Sequence, residues 1–237
     1  MTALHNNLPI TALLILKDRE DPKMQDLVRV AKSKNIAIRF ESRKLLDEYG
    51  KSHQGVVALC AEEDGDSAAE LTLTQLIELS LSRQKLILIL DGVTDPHNLG
   101  ACIRSAEALG VDGLVLPKDK SASVTAIVHK TSAGASQILP IVTLANLSDA
   151  LKKLKDAGFW IIGLDGYSDT PIQEIDFSTP SVLIMGSEGS GLRRLTKEHC
   201  DFLTKIPMSG QTESLNVSVA CGISLFEVTR QRLLQGG

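Results

Sequence analysis

Two apolar patterns alternate along this chain. In Lys85-Leu-Ile-Leu-Ile-Leu90 and Ser181-Val-Leu-Ile-Met185 the apolar residues follow one another unbroken, as in strands buried on both faces of a parallel sheet. Elsewhere they recur every three or four positions, as in Ile103, Ala106 and Leu109 ahead of Gly110, the spacing of an amphipathic helix closed by glycine. Beyond residue 70 these patterns predict helix 71–82, strand 85–90, helix 98–109, strand 113–116 and helices 122–131 and 147–156. Strands 159–164 and 181–185, helix 192–198, strand 203–206 and a closing helix 215–234 follow. The succession predicts an α/β domain on a parallel sheet, and general topology rules predict an unknotted one. Before residue 62, strands 10–16, 36–40 and 56–61 and helices 21–34 and 42–48 predict a smaller β-α-β-α-β module, its first helix opened by Asp21-Pro22. Glu62-Glu-Asp-Gly-Asp-Ser67 is acidic and free of apolar side chains, so the chain divides into a module 1–61, a linker 62–70 and a body 71–237.

The chemistry collects where strands end. After the 85–90 strand the chain reads Asp91-Gly-Val-Thr-Asp-Pro-His-Asn-Leu-Gly-Ala-Cys-Ile-Arg-Ser-Ala106. Proline fixes φ at position 96 and bars Asp95 from the α region, which stops the strand. With Asn98 opening the helix, Arg104 lies less than two turns away, and both side chains serve one site at the carboxyl edge of the sheet, where open α/β folds bind ligands. The 181–185 strand runs into Gly186-Ser-Glu-Gly-Ser-Gly191, which is either a tight turn or a loop whose backbone amides face an anion or a flat ligand. It matches neither G-x-G-x-x-G nor a Walker A loop, which argues against dinucleotide and P-loop nucleotide binding. Ile206-Pro-Met208 and Ser214-Leu-Asn-Val-Ser218 precede the closing helix. Taken singly these residues have ordinary readings: Arg104 solvated or ion-paired, Asn98 and Asn216 helix caps, Ser214 a turn residue, Glu188 an exposed loop carboxylate.

Taken in order, the three segments resemble the three signature motifs of the SpoU/TrmH group of SPOUT methyltransferases, over Lys85 to Arg232. The resemblance implies transfer of a methyl group from S-adenosylmethionine to the ribose 2′-oxygen of RNA, without a metal. It implies a SPOUT domain with a deep trefoil knot formed by the Gly186, Ile206 and Leu215 segments, whose backbone groups bind the adenine of the cofactor. Arg104 becomes the catalytic arginine, with Asn98, Glu188, Ser214 and Asn216 around it. Because a guanidinium has a pKa above ~12, a fixed cation stabilising the developing 2′-oxyanion is a better role for Arg104 than that of a neutral base. The 1–61 module resembles the L30e-like substrate-binding domain of the rRNA-type members, including the turn His53-Gln54-Gly55. Those domains open with a strand and helix bearing Gly-x-His-Ala-Val; this chain starts inside that helix, which implies either a truncated front or an edge element dispensed with. The rRNA-type likeness implies a guanosine of 23S rRNA as target, in the P loop of the peptidyl-transferase centre, presented by the rRNA or a ribosome-assembly intermediate. A tRNA or other rRNA 2′-O-methyltransferase is one alternative. A non-catalytic RNA-binding assembly protein is another, against which the complete set of motif residues counts.

Composition refines this picture. The formal net charge of −4 is unevenly placed: residues 1–61 hold ten basic and seven acidic side chains, +3, which leaves −7 for the rest. A basic front beside an acidic body suits separate RNA-gripping and cofactor-binding units, although solvated helix faces give the same count. No apolar run reaches membrane-spanning length, and the start lacks a basic stretch followed by an apolar one, so neither a membrane nor a secretory route is expected. Cys60, Cys102, Cys200 and Cys221 are scattered without a C-x-x-C pair, the usage of reduced thiols in a cytoplasmic protein. Val217, Val219, Ala220, Ile223, Leu225, Phe226 and Val228 make the closing helix apolar on more than one face, which predicts a homodimer.

Overall fold

The computed structural model describes residues 10–17, 21–50, 53–60, 71–187 and 189–234. The chain divides into two compact units, Met1–Ala69 and Glu70–Gly237. The stretch expected to be a linker lies outside the described residues, as does the start of the front module.

In the first unit β1 (Ile10–Leu16) is the middle of three strands, parallel to β2 (Ala37–Glu41) and antiparallel to β3 (Val56–Cys60). Leu13 and Ile15 pack with Met24, Leu27 and Ala31, which the helical period places on one face of α1 (Pro22–Ser33). Asp21 caps that helix by accepting from the Met24 amide at 3.0 Å, and Pro22 takes a first-turn position where an N–H has no intrahelical acceptor. Ser42 caps α2 (Arg43–Glu48), which buries Leu46. His53 locks the turn before β3. Its Nδ1 accepts from the Gly55 amide at 2.8 Å, so Nε2 carries the ring proton and donates to Asp47 Oδ1 at 3.0 Å.

The second unit is built on six parallel strands in the order β6-β5-β4-β8-β7-β9. These are β4 (Leu86–Asp91), β5 (Gly113–Pro117), β6 (Ile141–Leu144), β7 (Trp160–Leu164), β8 (Ser181–Gly186) and β9 (Phe202–Thr204). Leu86, Leu88 and Leu90 pack with α4 (Pro96–Ala108), α5 (Ala126–Thr131) and α8 (Val217–Leu234). Ile87 and Ile89 turn to the opposite face and pack with α3 (Leu73–Leu81) and α6 (Leu147–Asp156), and β8 divides its side chains in the same way. Both faces are therefore covered, which is why these strands read as unbroken apolar runs. The order reverses between β4 and β8, leaving a crevice at their carboxyl ends. A short helix, α7 (Arg194–His199), leads from the loop after β8 towards β9.

The opposite, amino edge is held by two charged side chains. Asp112, only 4% exposed, accepts from Ser80 Oγ and the Leu86 amide, each at 2.9 Å, and from the Gln84 amide at 3.2 Å. Arg232, near the end of α8, donates through Nε to the Phe177 carbonyl at 2.9 Å and through its other nitrogens to the carbonyls of Gln84, Lys85 and Thr179. Burial lowers the Arg232 pKa, and the nearby Asp112 carboxylate opposes that shift.

Several elements differ from the sequence reading. Helix α4 begins at Pro96, with Asp95 Oδ1 accepting from the His97 amide at 2.9 Å, so Asn98 is the third helical residue rather than the opener. Helix α5 begins at Ala126 because the Ala122 amide is held by the Val93 carbonyl at 2.8 Å. Strand β6, the four residues that directly follow Pro140, is an additional element. Cys102, Cys200 and Cys221 are free thiols, and burial pushes Cys200 up to about 12.

Replacing Arg232 with Met should strip the Phe177 and Gln84 carbonyls of its guanidinium donors, while Ser181 still serves the Lys85 and Thr179 carbonyls, and cost about 2 kcal/mol in a urea unfolding titration. Arg232→Lys should recover less than half of that, since an ammonium does not reproduce the guanidinium fork.

Candidate active site

The first and third candidate segments meet where two helices begin. Asn216 Nδ2 donates to Asn98 Oδ1 at 3.1 Å. The Asn216 side-chain oxygen also accepts from the Ser218 amide at 2.9 Å and the Ser218 hydroxyl at 2.6 Å, and its carbonyl accepts from the Ala220 amide at 2.9 Å, so it caps α8. One amide side chain thus starts one helix and ties it to the first turn of another. Arg104 lies further along α4 and is exposed. That helix is seated against α8: Cys102, Ile103 and Ala106 share a core with Ala220, Cys221 and Leu225, and Thr229 Oγ1 donates to the Leu109 carbonyl at 3.2 Å.

The second segment leaves β8. Ser187 and Gly191 exchange two backbone hydrogen bonds, at 3.0 and 3.1 Å, closing a small hairpin. A Cβ on Gly186 would lie 2.2 Å from the Gly191 carbonyl carbon and 2.4 Å from the Leu192 nitrogen, so only glycine admits the returning backbone. Glu188 lies outside the described residues. Ile206 is half-buried against the core, whereas Met208, Ser214 and Leu215 are exposed.

A cavity of about 340 Å³ opens at the crevice, lined by Gly92, Asp95, Asn98, Lys120, Ser187 and Arg193 among others. Of the described residues singled out from sequence as site residues, Asn98 lines it, while Arg104, Gly186, Ile206, Ser214, Leu215 and Asn216 do not. Sequence reasoning passed over the groups that frame it. Asp91, the last residue of β4, is fully buried and accepts from Thr196 Oγ1 at 2.7 Å. Arg193 Nε stands 3.2 Å from the other Asp91 oxygen, outside hydrogen-bonding geometry, and Arg193 Nη2 donates to the Asp119 carbonyl at 3.3 Å. Lys120, in the loop after β5, holds a left-handed φ of 58°. The available signals were an acidic residue ending an apolar strand and an arginine two positions beyond a glycine-rich loop. Two cations at a polar cavity favour a phosphate-bearing ligand. Among the described residues, no three His, Cys, Asp or Glu side chains gather as a metal site.

Comparison with known proteins agrees with this architecture. Residues 85–226 match the model of the SpoU rRNA methylase family, and residues 1–64 match that for RNA 2′-O ribose methyltransferase substrate binding. The chain is 45% identical over 229 residues to a 23S rRNA (guanosine-2′-O-)-methyltransferase of Pseudomonas aeruginosa, covering 96% of this chain and 91% of that protein. It is 47% identical over 225 residues to the Coxiella burnetii protein of the same name, covering 94% and 88%. The crystal structure of AviRb, a SpoU methyltransferase from Streptomyces viridochromogenes, in complex with AdoMet superposes with a TM-score of 0.77 at 26% identity, covering 98% of this chain and 87% of that one. An AdoMet-bound rRNA methyltransferase from Sinorhizobium meliloti gives 0.73 at 25%, covering 97% and 83%.

Gly186→Ala should force the hairpin after β8 apart, because the obstructing atoms are backbone. The expected cost is about 1–3 kcal/mol in thermal or urea unfolding. The cysteine of a Ser190→Cys reporter should be labelled by a thiol reagent faster in the Gly186→Ala background than in the Gly186 parent.

Proposed function

The chain belongs to the SpoU rRNA methylase family and is an RNA ribose 2′-O-methyltransferase, and from that premise we propose that its substrate is a guanosine in the P loop of 23S rRNA. The observation that carries the site assignment is the hydrogen bond between Asn98 and Asn216, which joins the first and third motif segments at the edge of a phosphate-suited cavity. The relatives named for guanosine 2′-O-methylation of 23S rRNA support the substrate. The front module supports an RNA grip: Arg39, Arg43 and Lys44 are exposed beside exposed Phe40 and Tyr49, a mixture of cations and stacking surfaces suited to unpaired nucleotides. We take residues 1–61 as that grip and 71–237 as the catalytic body.

The residues after β8 and β9 fit S-adenosylmethionine. The Ser187–Gly191 hairpin offers backbone polar groups at the sheet edge, and exposed Met208 and Leu215 with half-buried Ile206 supply apolar surface for a flat ring. We assign the adenine contacts to Gly186, Ile206 and Leu215. When bound, the cofactor supplies an electrophilic sulfonium methyl group. The work of this chain is to hold the ribose hydroxyl in line with that methyl and to stabilise the charge that develops on its oxygen. Arg104 is the stabilising cation, Asn98 orients the ribose, and Asn216 holds Asn98. Glu188 and Ser214 steady Arg104 and the substrate. The hydroxyl proton passes to a phosphate oxygen or water, since a guanidinium is a donor with no lone pair to accept it.

Two further readings follow from exposure and path. Val219, Ile223 and Phe226 are 49%, 41% and 60% exposed on α8, while Val217, Ala220, Cys221, Leu225 and Val228 are buried. The exposed row is the second apolar face, and we assign it to a homodimer. The return of the chain from the edge strand β9 to α8, packed on α4, is the passage we read as the trefoil knot. No helix among the described residues is long and apolar enough to cross a membrane, and we place the enzyme in the cytoplasm with its rRNA.

Arg104→Ala should keep S-adenosylmethionine affinity within about twofold while methyl transfer to 23S rRNA falls about 100-fold or more. Arg104→Lys should fail similarly. Equal losses of cofactor affinity and rate would move Arg104 into the cofactor pocket. Mapping 2′-O-methylation in 23S rRNA with and without the protein tests the target, and a modified nucleotide outside the P loop would refute it. Filter binding across a salt series should show weaker RNA binding and a shallower salt slope for Arg43→Glu/Lys44→Glu. Light scattering should give a dimer mass that Phe226→Asp reduces to a monomer's.

A further inference from the structure

We propose that Arg193 is the positioning residue that holds the cofactor loop after β8 in its binding form, acting through the buried Asp91 carboxylate. The inference rests on the assignment of the Gly186 segment to S-adenosylmethionine.

Asp91 and Gly186 are the paired last residues of two neighbouring strands. Beyond them the chains leave close together: a Cβ on Gly92 would come within 3.2 Å of Ser187 Cβ, and Gly92 has a φ of +93°. Arg193 sits at the root of the hairpin that Ser187 begins. Its guanidinium reaches Asp91 on the β4 exit and the Asp119 carbonyl on the β5 exit, so one side chain joins the three loops that frame the cavity. The Asp91 carboxylate is removed from water, with Thr196 satisfying one oxygen and Arg193 providing the countercharge for the other. A buried carboxylate that loses its countercharge must either take up a proton or be hydrated; the first removes the charge that draws Arg193 and the hairpin root inward, and the second opens the loops above it.

The base of α7 has its own anchor. Lys197 Nζ lies 2.6 Å from Asp165 Oδ2 at the carboxyl end of β7, on the far side of β8. Together with Thr196 this tether keeps α7 in place when Arg193 is shortened, so the expected damage falls on the hairpin and not on the fold. Arg193 is 41% exposed at its side chain and lines the cavity, which makes direct contact with an RNA phosphate the competing role.

The test uses the full chain, with S-adenosylmethionine affinity measured by calorimetry, RNA affinity by filter binding across salt, and melting temperature. Arg193→Ala should weaken cofactor binding at least tenfold while RNA affinity stays within twofold and the salt slope is unchanged. Arg193→Lys should restore part of the cofactor affinity, since it keeps the countercharge but not the fork. Adding Arg193→Ala to Asp91→Asn should cost less than threefold further, because the two side chains act as one unit. Unchanged cofactor affinity in Arg193→Ala with weaker RNA binding and a shallower salt slope would assign Arg193 to an RNA phosphate and overturn the proposal. A cofactor loss that only follows the unfolded fraction would overturn it too. If the unaltered protein fails to bind S-adenosylmethionine, the cofactor assignment itself falls, an outcome distinct from variants that bind as well as their parent.

Discussion

A strand buried on both faces can carry chemistry only at its ends. Along β4 every side chain from Leu86 to Leu90 is committed to one apolar layer or the other, and every backbone group in the middle of the sheet to a neighbouring strand. The first polar side chain the core admits is Asp91, at the last register position, opposite Gly186 of β8. The reversal of strand order between those two strands keeps the next connections from covering that point. What the protein does is therefore concentrated at two adjacent strand ends by the same burial that stabilises the sheet.

The two edges of the sheet are complementary. At the amino edge Asp112 and Arg232 satisfy backbone groups of the segments that enter β4 and β8, and an acid and a base sit within a small volume of protein. At the carboxyl edge Asp91 holds side chains, Thr196 and Arg193, and through them the hairpin after β8 and the start of α7. Helix α8 runs between these edges, with Asn216 capping its start and Arg232 near its end. Its inner face is core, so both polar attachments are held by one rigid body.

Much of the second unit was legible because its periodicities are strong. The unbroken runs at 85–90 and 181–185 admit one reading, and the 147–156 helix, with Asn146 as cap and buried Ala150, Leu151 and Leu154, was placed to the residue. Other features failed for local reasons. Strand β6 is four residues long and half-exposed, so its burial pattern carries little signal. The start of α4 was misplaced because two residues three positions apart, Asp95 and Asn98, are both of good capping type; Pro96 at the first helical position decides for Asp95. The Asn98–Asn216 bond joins residues 118 apart, and the Asp91–Arg193 pair spans a comparable separation. No short-range pattern encodes which turn meets which, and only resemblance brought Asn98 and Asn216 to one place. It was silent on Arg193, whose meaning depends on a buried carboxylate in another strand.

The Arg232 attachment also bears on time. Its contacts to Gln84 close a loop of 148 residues, and the groups it satisfies lie at the entrances to the two central strands. During synthesis those entrances lack the Arg232 donors until α8 has emerged. The same helix brings Asn216 to Asn98. Stabilisation of the sheet and assembly of the catalytic edge are thus one late event, and a nascent chain cut short before α8 has neither. For an enzyme whose substrate is part of the translation machinery, competence is withheld until its own α8 has been translated.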